Sequence, residues 1–181
     1  GISGKEWIDL LQNPRHPLQD KTIQGQYPPG STFKMVTALA ALKAGAAYPS
    51  TTVDCGGALS HGNRKFRCWK RGGHGRVDLK RALKESCDVW FYKVSLDLGI
   101  DRIAAMARAF GLGIPLGFAL EGEKTGLIPD RQWKQQRHGT RWYDGETVIA
   151  SIGQGYVLTT PLQLAVMTAG IANDGIVPRP Q

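Results

Sequence analysis

The 181-residue sequence predicts one mostly helical domain whose sheet, if it has one, is supplied largely by sequence outside these residues. Three observations point that way. The length and an ordinary globular composition, 41% hydrophobic and 21% charged, suit a single domain with a real core. Apolar residues recur at helical spacing in several segments bounded by capping and stop residues. The one long stretch without that period, residues 47 to 76, is rich in Gly and reads as irregular or weakly extended.

In chain order, residues 1 to 25 read as a short helix near Lys5 to Leu11, then a loop with Pro14 and Pro17. Residues 31 to 44 predict a helix, with Met35, Val36, Leu39 and Leu42 at helical spacing and Gly45 as its stop. VDLKRALKESCDVWFYKVSLDLG carries two helical segments, the first capped by Asp78, with an interruption near Ser86. DRIAAMARAFGLG is an amphipathic helix expected to be capped by Asp101 and ended by Gly111. TTPLQLAVMTAGIANDG is the last, with Pro161 in its first turn and Gly175 after it. No internal repeat or low-complexity tract is present, no apolar run is long enough to span a membrane, and no signal peptide is visible. The chain stops at VPRPQ, which reads as a cut in a longer sequence.

The net charge is +8, and its basic residues are densest at 63 to 76 and 130 to 142, among Trp69, Trp133 and Trp142. Basic clusters interleaved with tryptophan can contact nucleic acid. These two lie in non-periodic, Gly-rich sequence, so the preferred reading is solvated loops, or loops facing an anionic lipid or polymer.

Of the seven serines, only Ser31 has a lysine three positions on, in QYPPGSTFKMVTALAAL. Residues three apart on a helix share a face, so Lys34 can reach the Ser31 hydroxyl. A serine is a weak nucleophile until a neighbour takes its proton, and a lysine held partly neutral can do so. Free N–H groups at a helix start can stabilise an oxyanion. This suits acyl-enzyme chemistry, although a capping serine with a solvated lysine has the same spelling. In ESCDVWFY, Ser86 and Asp88 add a second hydroxyl and a carboxylate at a break between helices, where they could complete a proton relay. Ser95 and Asp97 share that spacing and are expected on a helix surface.

Cys55, Cys68 and Cys87, with His74, could form a closed Cys3His zinc site. The spacing matches no C-x-x-C knuckle; one disulfide with a spare thiol, or buried small apolar side chains, are the alternatives. An odd cysteine count is awkward for the disulfide in an oxidising compartment. Asp54 is a substitute ligand if the register is off by one. His16, His61 and His138 are expected at the surface.

Taken together, YPPGSTFK, GHGRVDLKRALKESCDVWFYKVSLDLGIDRI, GLIPDRQWK, WYDGET and SIGQGYVLTTPLQLA resemble the transpeptidase domain of the penicillin-binding protein 2 family, from about Gly1 to about Pro178. These are class B enzymes of rod-shape cell-wall elongation in Gram-negative bacteria. The resemblance implies an α/β fold, the penicillin-recognising serine transpeptidase or β-lactamase-like type, mostly its helical part, with the sheet incomplete. It implies that Ser31 is the acylated nucleophile, Lys34 its general base and Ser86 a proton relay. Asp88 stands where most of the wider superfamily has Asn; a carboxylate cannot donate to a substrate amide as Asn can. Some relatives carry zinc near the active site, which makes Cys55, Cys68, His74 and Cys87 its expected structural ligands.

The family's third motif, Lys-Thr-Gly on a strand, is expected beyond Gln181. Lys124, Thr125 and Gly126 spell it, but lie between the second motif and GQGY, and are rejected. Residues 1 to 181 are therefore expected to be a partial domain, weak or inactive alone: one lost oxyanion donor costs roughly a hundred- to a thousandfold. The implied partners are D-Ala-D-Ala stem peptides, β-lactams and the glycan-polymerising membrane protein of the elongation machinery, with no nucleic acid. The implied location is the periplasmic face of the inner membrane. A zinc-stabilised basic nucleic-acid module would leave PPGSTFK unexplained. A β-lactam hydrolase or sensor could share the nucleophile, but no deacylating base is visible.

Overall fold

The computed structural model describes residues 1–180, and its centre is helix α5 (Asp88–Leu98). Trp90 and Phe91 are fully buried there, with Val89, Tyr92, Val94 and Leu98. A helix apolar on nearly every side has to sit inside, and its neighbours pack around it. Helix α3 (Lys34–Ala44) lies against it and follows a 3-10 turn at Gly30–Phe33. The expected stripe on α3 is only partly the buried one. Val36 is buried, but Met35, Leu39 and Leu42 are only partly covered, and Ala38, Ala40 and Ala41 take the core side. Short side chains let α3 approach α5 and α6 (Ile100–Ala109) closely.

Helices α1 (Gly4–Gln12) and α2 (Lys21–Gln24) precede the nucleophile turn, and α4 (Leu79–Lys84) begins on its Asp78 cap. Asp101 does not cap α6: Gly99 occupies that position, and the Asp101 carboxylate accepts the Arg131 N–H at 3.1 Å instead. Ser95 is buried within α5, bonding the Tyr92 carbonyl, whereas Asp97 is exposed as expected.

Residues 47 to 76 are more ordered than expected. β1 (Val53–Cys55) pairs antiparallel with β4 (Gly75–Val77), and β2 (Ala58–His61) with β3 (Arg64–Arg67). Gly62, first of the two loop residues of the β2–β3 hairpin, supplies the positive φ such a loop needs. These two-stranded sheets are the small, incomplete β component of an α/β fold.

The second basic cluster forms helix α7 (Arg131–His138), from its Asp130 cap to the left-handed Gly139. Lys134 is buried rather than solvated, bonding Glu146 of α8 (Asp144–Ala150) and the Tyr156 hydroxyl. Its charge made this helix read as loop, yet both helix signals are in the sequence. Helix α9 (Pro161–Ala172) starts with a Thr160–Gln163 capping box. None of the described helices is long and apolar enough to cross a membrane.

Candidate active site

Ser31 is set by the turn before α3. Gly30 has φ +58°, donates its N–H to the Gly153 carbonyl at 3.0 Å, and starts the 3-10 turn. Ser31 thus lies in a 3-10 rather than an α-helical turn, and it caps no helix. Gly153 has φ +70°; a methyl group there would lie 2.4 Å from the Gly30 oxygen and 2.7 Å from Phe33 Cβ. The SIGQGY stretch therefore presses its backbone directly on the nucleophile turn. Thr37 ties α3 to the same stretch, donating to the Ser151 carbonyl at 2.8 Å.

Lys34 is only 1% exposed. Its Nζ donates to Asp88 Oδ1 at 2.6 Å, to Ser86 Oγ at 2.8 Å and to the Ser86 carbonyl at 3.0 Å. Ser86 Oγ in turn donates to Ser31 Oγ at 2.9 Å. The direct Ser31–Lys34 contact expected from their spacing is thus a contact through Ser86. Ser86 sits at the break between α4 and α5 with φ +53°, a conformation few non-glycine residues adopt. Asp88 turns inward at 8% exposure, with Oδ1 taken by Lys34 and Oδ2 by the Trp69 N–H at 2.9 Å. Its carboxylate anchors the lysine and the loop at Trp69, which removes the difficulty of an Asp where an amide would face substrate.

These groups open into a cavity of about 350 Å³, lined by Ser31, Ser86, Asp88, Trp69, Ile152 and Gln154. Trp69 is 64% exposed yet held in place, its indole N–H shared between the Glu85 and Ser86 carbonyls at 3.2 and 3.0 Å. Trp69, Ile152 and Gln154 were missed as site residues. Trp69 stands within a basic cluster, and SIGQGY carries no titratable or nucleophilic pattern that marks a role. Lys124, Thr125 and Gly126 do not line the cavity. They belong to a structural tie: Lys124 N–H bonds the Ile23 carbonyl, the Thr125 carbonyl accepts from Gln163, and Gly126 packs on the Leu158 backbone.

Cys55, Cys68, His74 and Cys87 converge behind this wall. All are buried, and their ligand atoms lie within 4.8 Å of one another. His74 Nδ1 is 3.6 Å from the sulfurs of both Cys55 and Cys68. A tetrahedral zinc ion, with sulfur at ~2.3 Å and nitrogen at ~2.0 Å, sets those atoms about 3.5 Å apart. The cysteines are free thiols, and His74 Nε2 is buried without a partner. Burial pushes the Cys87 thiol up to about 12 and raises that of Cys68. At Cys55 burial also opposes ionisation, but the Gly57 and His74 N–H groups outweigh it and lower the value. Asp54 faces out from β1 and is no substitute ligand. His16 is exposed as expected. His138 is exposed as well, its ring against Trp133 and Tyr156, while His61 is half-buried and pairs with Asp144 at 3.5 Å.

Residues 4–181 match the family described as penicillin binding protein transpeptidase domain. The chain is 42% identical to peptidoglycan D,D-transpeptidase MrdA of Escherichia coli (strain K12), over 99% of its own length and 29% of the relative's. It superposes on Pseudomonas aeruginosa PBP2, solved in complex with WCK 5153, with TM-score 0.95 and 43% identity, covering 99% of this chain and 40% of that one. It also matches a chain solved in a study of how a peptidoglycan synthase complex coordinates polymerization and crosslinking. There the TM-score is 0.87 and the identity 35%, covering 100% of this chain and 33% of that one. The chain spans under a third of the length of the curated relative it matches.

Proposed function

From the premise that this chain belongs to the penicillin-binding protein transpeptidase family, we propose that a protein carrying it is a serine peptidoglycan D,D-transpeptidase of cell-wall elongation. The observation that carries the reading is the unbroken chain of hydrogen bonds from Ser31 through Ser86 to the buried Lys34, opening into one cavity.

The chemistry follows from that chain. With Lys34 neutral, its Nζ accepts the Ser86 proton as Ser86 Oγ accepts that of Ser31, the reverse of the resting donor order. The Ser31 oxygen attacks the carbonyl between the two D-Ala residues of a stem peptide. The C–N bond breaks, and D-Ala leaves with the proton that the relay returns. An amine of a second stem peptide then attacks the ester and Ser31 regains its proton. β-Lactams would be attacked at the ring carbonyl by the same oxygen and remain as an ester. Ser31 lies in the first turn of its helix, where leading N–H groups have no intrahelical acceptor and suit an oxyanion. A Lys-Thr-Gly strand beyond residue 181 is proposed to supply the opposite wall.

The Cys3His set is proposed to hold one structural zinc ion, which would cross-link β1, the loop after β3 and the start of α5. The proposed setting is the periplasmic face of the inner membrane, beside a glycan-polymerising partner; the match to the peptidoglycan synthase chain supports that pairing. Of the alternatives, the nucleic-acid module is disfavoured because one basic cluster is a helix whose lysine is buried in an aromatic network.

The test is intact-mass spectrometry of the full-length protein with a fluorescent penicillin. One adduct per chain, lost in Ser31→Ala, is expected; no adduct on the full-length protein would sink the proposal, and rapid release of the adduct would favour a hydrolase. Residues 1–181 alone should react at least about a hundredfold more slowly.

A further inference from the structure

A second cavity, about 590 Å³, adjoins the first and shares Trp69 with it. Its walls carry Lys65, Arg67 and Arg71 and no Asp or Glu. The strand period explains this. Along Lys65-Phe66-Arg67-Cys68-Trp69, Phe66 and Cys68 are buried, while Lys65, Arg67 and Trp69 share the exposed face. Arg71 joins them from the following turn. That turn is held hard against the strand before it: a methyl group on Gly57 would lie 2.2 Å from the Arg71 carbonyl oxygen, and one on Gly73 2.0 Å from that of Cys55. Cys68, in the same wall, belongs to the Cys3His cluster. Three cations are thus presented on a braced backbone next to the cavity that Ser31 lines, and among the described residues none of the three forms a side-chain ion pair or hydrogen bond. Lys65, Arg67 and Arg71 are exposed, whereas the chain's buried or half-buried lysines and arginines, Lys34, Arg108 and Lys134, each have a carboxylate partner.

We propose that this cavity is a subsite for a carboxylate of the stem peptide being joined, bound by Arg67 and Arg71 with Lys65 adding charge. The inference rests on the transpeptidase reading and extends it to substrate choice. Guanidinium forks hold a carboxylate through two parallel hydrogen bonds, which fixes orientation as well as adding affinity. A carboxylate seated here would lie on the far side of Trp69 from Ser31, so it would belong to a part of the peptide away from the bond being cut. The group could come from the donor strand or from the acceptor strand, and both present the same chemistry.

The experiment uses the full-length protein and two pairs of peptides. One pair are donors ending in D-Ala-D-Ala, identical except for a carboxylate or a carboxamide upstream; the other pair are acceptor amines differing in the same way. At low salt the carboxylate member of at least one pair should be favoured in kcat/KM by about tenfold, the scale of one charge-assisted contact. The preference should shrink as salt rises. A preference confined to donors or to acceptors identifies the strand, and either result supports the subsite. In Lys65→Gln/Arg67→Gln/Arg71→Gln the preference should vanish, while Arg67→Lys/Arg71→Lys, which keeps the charge but loses the forks, should keep only part of it. A wild-type protein that takes up penicillin yet handles both members of each pair equally would overturn the subsite and leave the transpeptidase reading intact. A preference that survives the triple variant would overturn it as well. Failure of the wild type to take up penicillin would remove both.

Discussion

Ser86 shows how one residue can carry opposing demands. Its hydroxyl links Ser31 to Lys34, and its carbonyl accepts from both Lys34 and Trp69, so its orientation matters at both ends. That orientation requires φ +53° in a residue with a Cβ. A left-handed non-glycine residue costs about 1–2 kcal/mol, and such strain persists only where the surroundings enforce it. Ser86→Gly and Ser86→Ala should therefore separate the two demands. Both lose the relay and should acylate far more slowly with penicillin, but the glycine variant should be more stable than the alanine variant by about 1 kcal/mol in denaturant titrations. Equal stability would mean that the backbone is not strained there. At this scale the sequence is informative where chemistry needs a rare spelling. Ser31 and Lys34 stand out as the only S-x-x-K, and Ser86 and Asp88 sit at a visible break between helices. Trp69 and Gly153 were not legible in the same way, because a tryptophan among arginines and a glycine in a loop have many ordinary uses. Only the fold shows that one lines the cavity and the other leaves no room for a Cβ under the nucleophile turn.

Helices were legible in proportion to their apolar period. The segments that became α3, α5, α6 and α9 were readable, whereas α7, whose one buried side chain is Lys134, and α8, seven residues long and too short to show a period, were not. Asp130 is the hinge of that region. It caps α7 by accepting the Trp133 N–H at 2.7 Å and takes the Arg108 guanidinium at 2.6 Å, which joins α6 to α7. Burial alone would raise its carboxyl, but the Trp133 N–H and the Arg108 charge prevail and hold it below the ordinary aspartate value of 3.8. A depressed folded-state value means that the unfolded chain binds the proton first. The contribution of Asp130 is thus complete above the ordinary aspartate range and fades as pH falls through its lower folded value. Asp130→Asn should reduce stability at neutral pH and make the acid limb of the stability curve shallower below about pH 5. Identical acid limbs for the two proteins would show that this carboxylate does not couple folding to protons.

Across the whole molecule, the site is assembled from segments far apart in the chain: residues 30 to 34, 55 to 74, 86 to 88 and 151 to 154. The pairing of the short strands and the approach of Gly153 to Gly30 depend on tertiary contacts that no local period encodes. The cysteines were visible as candidates, but their convergence was not, since spacings of this length match no local ligand motif. The proposed zinc ion would join the same distant segments. Cys55 ends β1, Cys68 precedes the Trp69 that lines both cavities, and Cys87 follows Ser86 directly. A cross-link of this kind behaves as a unit, because removing any one ligand leaves the other three without their common partner. Cys55→Ser, His74→Ala and Cys87→Ser should each lose the one zinc ion seen by native mass spectrometry of the full-length protein. If the ion contributes on the order of 3 kcal/mol, each variant should melt about 10 °C lower for the transition of this domain. The double variant Cys55→Ser/His74→Ala should melt hardly lower than the worse single variant, a departure from additivity diagnostic of one shared interaction. Chelation of the wild type should reproduce the same drop. Additive losses, with no zinc in the wild-type spectrum, would instead assign the four side chains to ordinary core packing.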